Sequence, residues 1–380
     1  MTKRLLIIIS ILLAIYFTFK EKEYRDPVIR LGASIPQTGV IKEWGEAVTI
    51  GANSYFNYVN DNKLLGTKSI DYIIYDDKYE PKLTLKNTNK LLFQDNVFAL
   101  FGFVGTPTVK SILPIVEKEN IPFISAFTGA SFLRDRSQNN FLNFRSSYQK
   151  EIETLIKYLH YDKKISRFAV FYQNDDFGEE GYVSVINSLK KRKLKLVAEG
   201  SYKRNTLSIS HAFNEIKSAT PEAIIMIGAN KANALFIKKA KENPKFENTL
   251  FCNISFGDAN AMINELHDSN TKNLIFSQVV PNYQDRTIPI INEYYNVLEK
   301  YNKDFKAGFI SLEAFLSAKL VVEALKNVKG ALTKHSFIKA YQTLPSNTLK
   351  GIKIEFKNRQ LLNEVYLFTY ENNRFKEINK

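Results

Sequence analysis

From Val28 onward, short apolar runs alternate with longer amphipathic ones, and this alternation restricts the fold more than any other feature of the chain. The run at 29–35 reads as a strand. The segment 43–59 reads as a helix, because Ala47, Ile50, Ala52, Tyr55, Phe56 and Val59 recur at helical spacing. The pair repeats as strand 70–75 with helix 82–93, then strand 97–103 with helix 108–119, before a strand at 121–125. After Arg145 the pattern resumes, with strands at 168–172, 195–198, 223–227, 249–254 and 274–280. Helices at 148–160, 177–191, 209–217, 231–241 and 259–266 separate them. The last third changes character: three helices at 288–301, 309–326 and 334–344 precede strands at 352–356 and 365–370.

Strand–helix alternation of this kind predicts an α/β fold of parallel sheets covered by helices on both faces. Two such arrays in 380 residues suit a two-lobed molecule with a cleft between the lobes. Hydrophobic residues at 44% and charged residues at 24% are enough for a packed core without staples. The single cysteine, Cys252, permits no internal disulfide; in the run Leu250-Phe251-Cys252 it reads as a small buried hydrophobe. In open sheets of this type, ligands sit beyond the carboxyl ends of the strands. The loops to watch are therefore 36–45, 76–81, 102–108, 125–131, 173–178, 228–231 and 255–258.

The net charge of +14 is spread along the chain, and its densest cluster, Lys190-Lys191-Arg192-Lys193, reads as a solvated helix end. No recognition motif or aromatic stacking pattern accompanies it, so nucleic acid is not an expected partner. A weak attraction to anionic membranes or acidic solutes remains. At the N-terminus, Lys3 and Arg4 precede an uncharged apolar stretch over 5–19, followed by Lys20-Glu21-Lys22-Glu23. That is the pattern of an export signal. With no small-residue cleavage site and no lipid-attachment cysteine, residues 1–22 read either as a signal peptide or as an uncleaved signal anchor to the inner membrane. Both place the rest of the chain in the periplasm or outside the cytoplasm.

Catalytic and cofactor motifs are missing. There is no G-x-G-x-x-G and no phosphate-binding loop, and Gly102-Phe103-Val104-Gly105-Thr106-Pro107 fits neither pattern. No serine stands in G-x-S-x-G. His160, His211, His267 and His335 are scattered and form no metal-binding pair. Asp76-Asp77 with Glu80 has two readings, an acid–base or metal site or a polar turn capping the next helix, and the turn is the simpler. No enzyme activity, cofactor or metal is expected.

Five marks, in order, resemble the leucine/isoleucine/valine-binding protein family, the type I periplasmic binding proteins that serve branched-chain amino acid ABC importers. The first is Ala33-Ser34-Ile35-Pro36-Gln37-Thr38-Gly39 with Trp44-Gly45 and Gly51-Ala52. The second runs from Phe101-Gly102 to Ile121-Pro122-Phe123-Ile124-Ser125. Phe144-Arg145 and Asp175-Asp176-Phe177-Gly178 are the third and fourth, and Gly308-Phe309 leading to Glu313-Ala314 and Ala324-Leu325 is the fifth. No single mark is specific; the ordered set, over about residues 28–370, is. The resemblance implies the type I periplasmic-binding-protein fold, with two doubly wound parallel-sheet lobes joined by three crossover segments near 144–147, 277–281 and 349–356. Lobe 1 would be 28–145 plus 281–350, and lobe 2 would be 146–280 plus 351–380.

It also implies a ligand site. Family members hold a ligand carboxylate with hydroxyl and backbone N–H groups at a loop-to-helix junction, where a helix N-terminus favours an anion. Thr106 falls at the hydroxyl position, with Thr108 as a second donor close by. Phe127, Thr128 and Gly129 fall in the second donor loop, with the threonine displaced by one position. Trp44 matches the covering aromatic. For each hydroxyl the bland alternative is a helix cap, and for Trp44 a core position. In the second lobe the family's tyrosine is replaced by Phe177, and Ser255-Phe256-Gly257 stands where an acid is expected, with Asp258 slightly late. A buried ammonium needs an anion or several acceptors, so an organic acid, an aromatic acid or a modified amine fits as well as an α-amino acid. Tyr148, just past the first crossover, reads as a cleft residue or as hinge packing. The expected role is the binding component of an importer, closing on a small molecule and docking on an ABC transporter permease. The alternative is a sensory binding protein that presents its ligand to a membrane receptor kinase, chemoreceptor or cyclase.

Overall fold

The computed structural model describes residues 23–134, 139–267 and 271–378. The N-terminal stretch read as an export signal lies outside them. Among the described residues no helix is long and apolar enough to cross a membrane.

The first sheet is built around β1 (Val28–Ile35), which pairs in parallel on one side with β2 (Ser69–Asp76) and on the other with β3 (Ala99–Phe101). Neighbours on both edges and helices on both faces explain why Leu31 to Ile35 are buried without a break. β4 (Phe123–Ile124) and β5 (Phe141–Leu142) complete the order β2-β1-β3-β4-β5. Helices α1 (Lys42–Asp61), α2 (Pro81–Phe93) and α3 (Thr106–Lys118) follow the first three strands. Late in the chain, α9 (Pro289–Asn302), α10 (Phe309–Lys326) and α11 (Lys334–Gln342) return to this lobe. α10 packs along α1 so closely that a Cβ on Gly51 would lie 2.2 Å from the Ser311 carbonyl oxygen. This close approach explains the glycine.

The second sheet has the order β12-β11-β10-β9-β8-β6-β7. Its parallel part is β6 (Phe168–Gln173), β7 (Leu196–Tyr202), β8 (Ala223–Ile227), β9 (Leu250–Asn253) and β10 (Leu274–Gln278). Helices α4 (Tyr148–Lys157), α5 (Asp176–Lys191), α6 (Ser210–Ala219), α7 (Asn230–Lys241) and α8 (Ala259–Leu266) belong to this half. Cys252 is buried in β9.

Two expectations change. The second sheet is mixed rather than parallel throughout, because β11 (Tyr366–Glu371) and β12 (Arg374–Glu377) add to β10 as an antiparallel hairpin. No strand forms at 352–356. Ile352 and Ile354 are buried and Lys353 and Glu355 exposed, so the alternation is strand-like. Yet Ile354 N donates to Ser346 O and Glu355 N to Leu361 O, so the segment pairs within its own loop rather than in a sheet.

The chain passes between the lobes three times. The first and third passages run side by side: Asn143 N donates to Arg359 O, Leu361 N to Asn143 O, and Leu362 N to Phe144 O at 2.8 Å.

Candidate functional site

β3 and β4 end at the same level, and the loops after them stay paired through a parallel bridge between Val104 and Phe127. That register brings Thr106 and Thr128 together, 22 residues apart in sequence, with their Oγ1 atoms 2.7 Å from each other and both side chains buried. Gly105 turns the chain into α3 at φ 99°, and a Cβ there would strike the Tyr79 ring at 2.2 Å. Gly105 is the N-cap of α3, so the Thr106 hydroxyl does not act as the cap. Gly129 lets the second loop meet the start of α4: a Cβ would lie 2.5 Å from Tyr148 N, which donates to Gly129 O at 3.0 Å.

Tyr148 joins the two threonines. Burial raises the pKa of its phenol, and the Arg145 charge and the Thr128 and Thr106 hydroxyls work against that rise. Its Oη lies against both hydroxyls without a well-formed hydrogen bond to either. A ring assembly seals the cluster. Trp44 stacks on Phe256 with centroids 5.0 Å apart and meets Phe127 edge-on at 5.8 Å. Phe256 also packs on Phe177 at 4.6 Å, and Phe177 on Tyr148 at 5.3 Å. Across the lobes, Trp44 Nε1 donates to Phe256 O at 3.1 Å and Gln173 Nε2 to Tyr79 Oη at 3.2 Å. All these rings are buried, so the lobes are closed on each other here.

Of the residues expected in the site, the structure gathers Trp44, Thr106, Phe127, Thr128, Gly129, Tyr148 and Phe177 into this one cluster. Thr108 is turned away: its Oγ1 bonds back to Val104 O and Gly105 O, as hydroxyls in the first turn of a helix do. Ser255 belongs to a neighbouring group at the back of the cleft, centred on Arg145. Arg145 Nη2 donates to Ser255 Oγ, and Ser255 Oγ and N donate to Glu151 at 2.9 and 2.8 Å. Ser277 Oγ donates to Glu151 at 2.6 Å, and Glu313 on α10 lies 3.3 Å from Arg145 Nε. All five residues are buried. Burial pushes the Glu313 carboxyl up to about 7 against the pull of Arg145, with the Glu151 charge adding to the rise. For Arg145, burial opposes the charge, but Glu313, Tyr148 and Glu151 outweigh it and raise its pKa. Arg145 Nη1 has no hydrogen-bond partner.

Arg145, Glu151, Glu313, Tyr79 and Phe256 were not among the expected site residues. Glu313 had a signal, a charged residue inside the mostly apolar run 310–315, and Tyr79 and Phe256 had another, an aromatic in a loop just after a strand; Arg145 and Glu151 stand among polar neighbours and had none.

At the rim, charges from the two lobes meet. Glu80 receives Arg204 Nη2 at 3.1 Å and Asn205 Nδ2 at 2.6 Å. Glu43 pairs with Lys231 at 3.1 Å, and Lys110 with Asp176. Asp76 and Asp77 hold a polar turn but do not cap α2, whose N-cap Glu80 has no side-chain cap bond. Asp76 accepts from Gln37 N, Thr38 N, Thr38 Oγ1 and Lys78 N, while Asp77 accepts from Ser34 Oγ, Tyr79 N and Thr84 Oγ1. No group of His, Cys, Asp and Glu among the described residues fits a metal ion.

Two α/β lobes that close on each other over a shared buried cluster have a clamshell architecture. The chain belongs to the periplasmic binding protein family, whose profile matches residues 28–374. A Leu/Ile/Val-binding protein homolog 7 of Brucella abortus is 22% identical over 317 residues, covering 80% of this chain and 78% of that protein. The crystal structure of a "possible leucine/isoleucine/valine-binding protein" from Rhodopirellula baltica superposes with a TM-score of 0.87 at 26% identity, covering 92% of this chain and 96% of the other. A substrate-binding periplasmic protein from Ralstonia solanacearum gives a TM-score of 0.86 at 24% identity, over 92% of this chain and all of the other. The family implies an extracytoplasmic location and a solute-binding role.

Proposed function

We propose that this protein is the solute-binding component of an ABC importer, carrying a small amino-acid-like or organic acid to a membrane permease without chemical change. One observation carries the reading. Arg145 Nη1 is a buried donor without a partner, and Tyr148 Oη, also buried, lies against the hydrogen-bonded Thr106–Thr128 pair without a well-formed bond to either hydroxyl. Buried donors in native proteins are nearly always paired. A ligand carboxylate seated here before the lobes close accepts from these groups, and the start of α3 adds favourable potential. The rings of Trp44, Phe177 and Phe256 then cover the rest of the ligand. On this reading the lobes are 28–145 plus 281–350 and 146–280 plus 351–380, and they rotate about the three crossovers. Residues 1–22 direct export and are removed or retained as an anchor.

The test begins with a thermal-shift screen of amino acids, organic acids and aromatic acids, since a ligand that binds the folded state raises its melting temperature. The best hit is then titrated calorimetrically into wild type and Thr106→Val. A charge-assisted hydrogen bond is worth about 1.5–3 kcal/mol, so the variant should bind roughly tenfold or more weakly. Loss of the Thr106–Thr128 bond should lower its stability by only about 1 kcal/mol. Unchanged affinity removes Thr106 from the site, and with it the case for an acidic group.

A further inference from the structure

A cavity of about 440 Å³ opens between the lobes beside this cluster, bounded by α1 and the start of α10 on one side and by α7 and α8 on the other. That is at the small end of the range for ligand pockets. Trp44, Thr106, Thr128 and Tyr148 do not line it. We propose that this compartment is a second binding site, for a small primary amine held by Glu43, Asn230 and Asp258.

Three observations lead there. The first is Asn230, the opening residue of α7, which lines the cavity and is 2% exposed. Neither its Oδ1 nor its Nδ2 has a hydrogen-bond partner. Asn233, one turn on, leaves only its Oδ1 unpaired: its Nδ2 reaches Gly228 O at 3.1 Å and Asn253 Oδ1 at 3.2 Å. Among the described residues nothing bonds the Asn230 amide, and an unpaired buried amide calls for an explanation. The second is Glu43, whose Oε1 meets Lys231 while Oε2 is buried and partnerless. A group donating N–H bonds supplies what both acceptors lack.

The third is charge. Glu43, Glu46, Asp258 and Glu265 line the cavity, against Lys306 alone among lining cations. This acidic compartment sits on a chain of net charge +14, so general composition does not explain it. Asp258 is buried and spends Oδ1 on the Ala261 N–H. Burial pushes its carboxyl up to about 6, with the Glu43 charge among the groups that raise it. A bound ammonium stabilises that carboxylate in its ionised form. Among the described residues no set of carboxylates converges tightly enough for a metal ion. The cavity has room for an organic cation of several atoms, and Tyr283 lines it with the acceptors.

The test titrates 1,4-diaminobutane into the full chain by calorimetry, with 1,4-butanediol as the uncharged match. Saturable binding of the diamine and none of the diol is expected. Asp258→Asn keeps a cap oxygen for α8 and should weaken the diamine at least tenfold. Glu43→Gln should do the same, and it serves as the second variant if the first melts early. The acid found by the screen is titrated into Asp258→Asn as well. Retained acid affinity with lost diamine affinity supports two separate sites. Absence of saturable diamine binding to wild type overturns the proposal, as does undiminished binding to both variants, which marks diffuse attraction only.

Discussion

The back of the cleft and its rim both carry ion pairs, within one lobe at Arg145–Glu313 and across the lobes at the rim, and the two are physically different bonds. At the back, Arg145 and Glu313 have side-chain exposures of 1% and 5%. At the rim, Arg204 and Glu80 stand at 23% and 45%, and Lys110 and Asp176 at 54% and 32%. A buried pair has given up its hydration and cannot lose one member without leaving a bare charge in a poor solvent. An exposed pair exchanges protein partners for water at little cost. The back is therefore suited to a contact that persists through any movement, and the rim to contacts that part and re-form. Where an ion pair sits in the cleft, more than how many there are, decides what it does.

The comparison is broken most directly by removing the central charge. Arg145→Met fills similar volume but leaves Glu151 and Glu313 without their counter-ion, and should lower unfolding free energy by about 3–5 kcal/mol in a denaturant titration. A loss below about 1 kcal/mol would make the back no different from the rim.

A smaller effect is expected with pH. Glu313, pushed up to about 7 by burial, holds its proton more tightly when folded than when unfolded, where its ordinary value is 4.5. Its contribution is thus flat below about 4.5, and stability falls as pH rises from there through about 7. Asp77 and Asp258, each pushed up to about 6 by burial, act with the same sign over a lower window. Melting temperatures of wild type should decline between pH 5 and pH 7, and Glu313→Gln should decline less. Parallel profiles for the two proteins would remove Glu313 from the titration.

The smallest effect belongs to the rim. Glu80→Gln should change unfolding free energy by under about 1 kcal/mol, with the difference shrinking further in added salt as the Debye length shortens. A larger, salt-independent loss would show that the Glu80–Arg204–Asn205 contact is sealed from water in solution.

Much of the fold was legible because parallel strands and their helices write separate periods into the sequence. The spans 223–227, 259–266 and 309–326 agree with β8, α8 and α10 to the residue. What was missed lacked that periodicity. β5 is two residues long, and β12, Arg-Phe-Lys-Glu, has one apolar residue to signal it. The segment at 352–356 has the right alternation and no sheet to join, which no local pattern reveals. In the site, motif order brought Thr106, Thr128 and Tyr148 together, but side-chain direction did not follow from position. Thr108 turned to its own backbone and Ser255 to Glu151 because nearer partners competed for their hydroxyls. Arg145 was noticed only as part of a mark. Its importance comes from Glu313, 168 positions away, and a contact at that separation has no local signature.

The hairpin of β11 and β12 bears on the order in which the molecule assembles. During synthesis the ribosome releases most of the first lobe, then most of the second, and only afterwards α9 to α11, which pack on α1 and each other in the first lobe. Residues 366–377 follow these helices, and β11 pairs with β10. Until they arrive, β10 presents a bare edge of the kind that captures strands from other chains. Neither lobe is complete as a contiguous piece of sequence, so a nascent chain stopped short of Tyr366 is an aggregation hazard rather than a functional fragment.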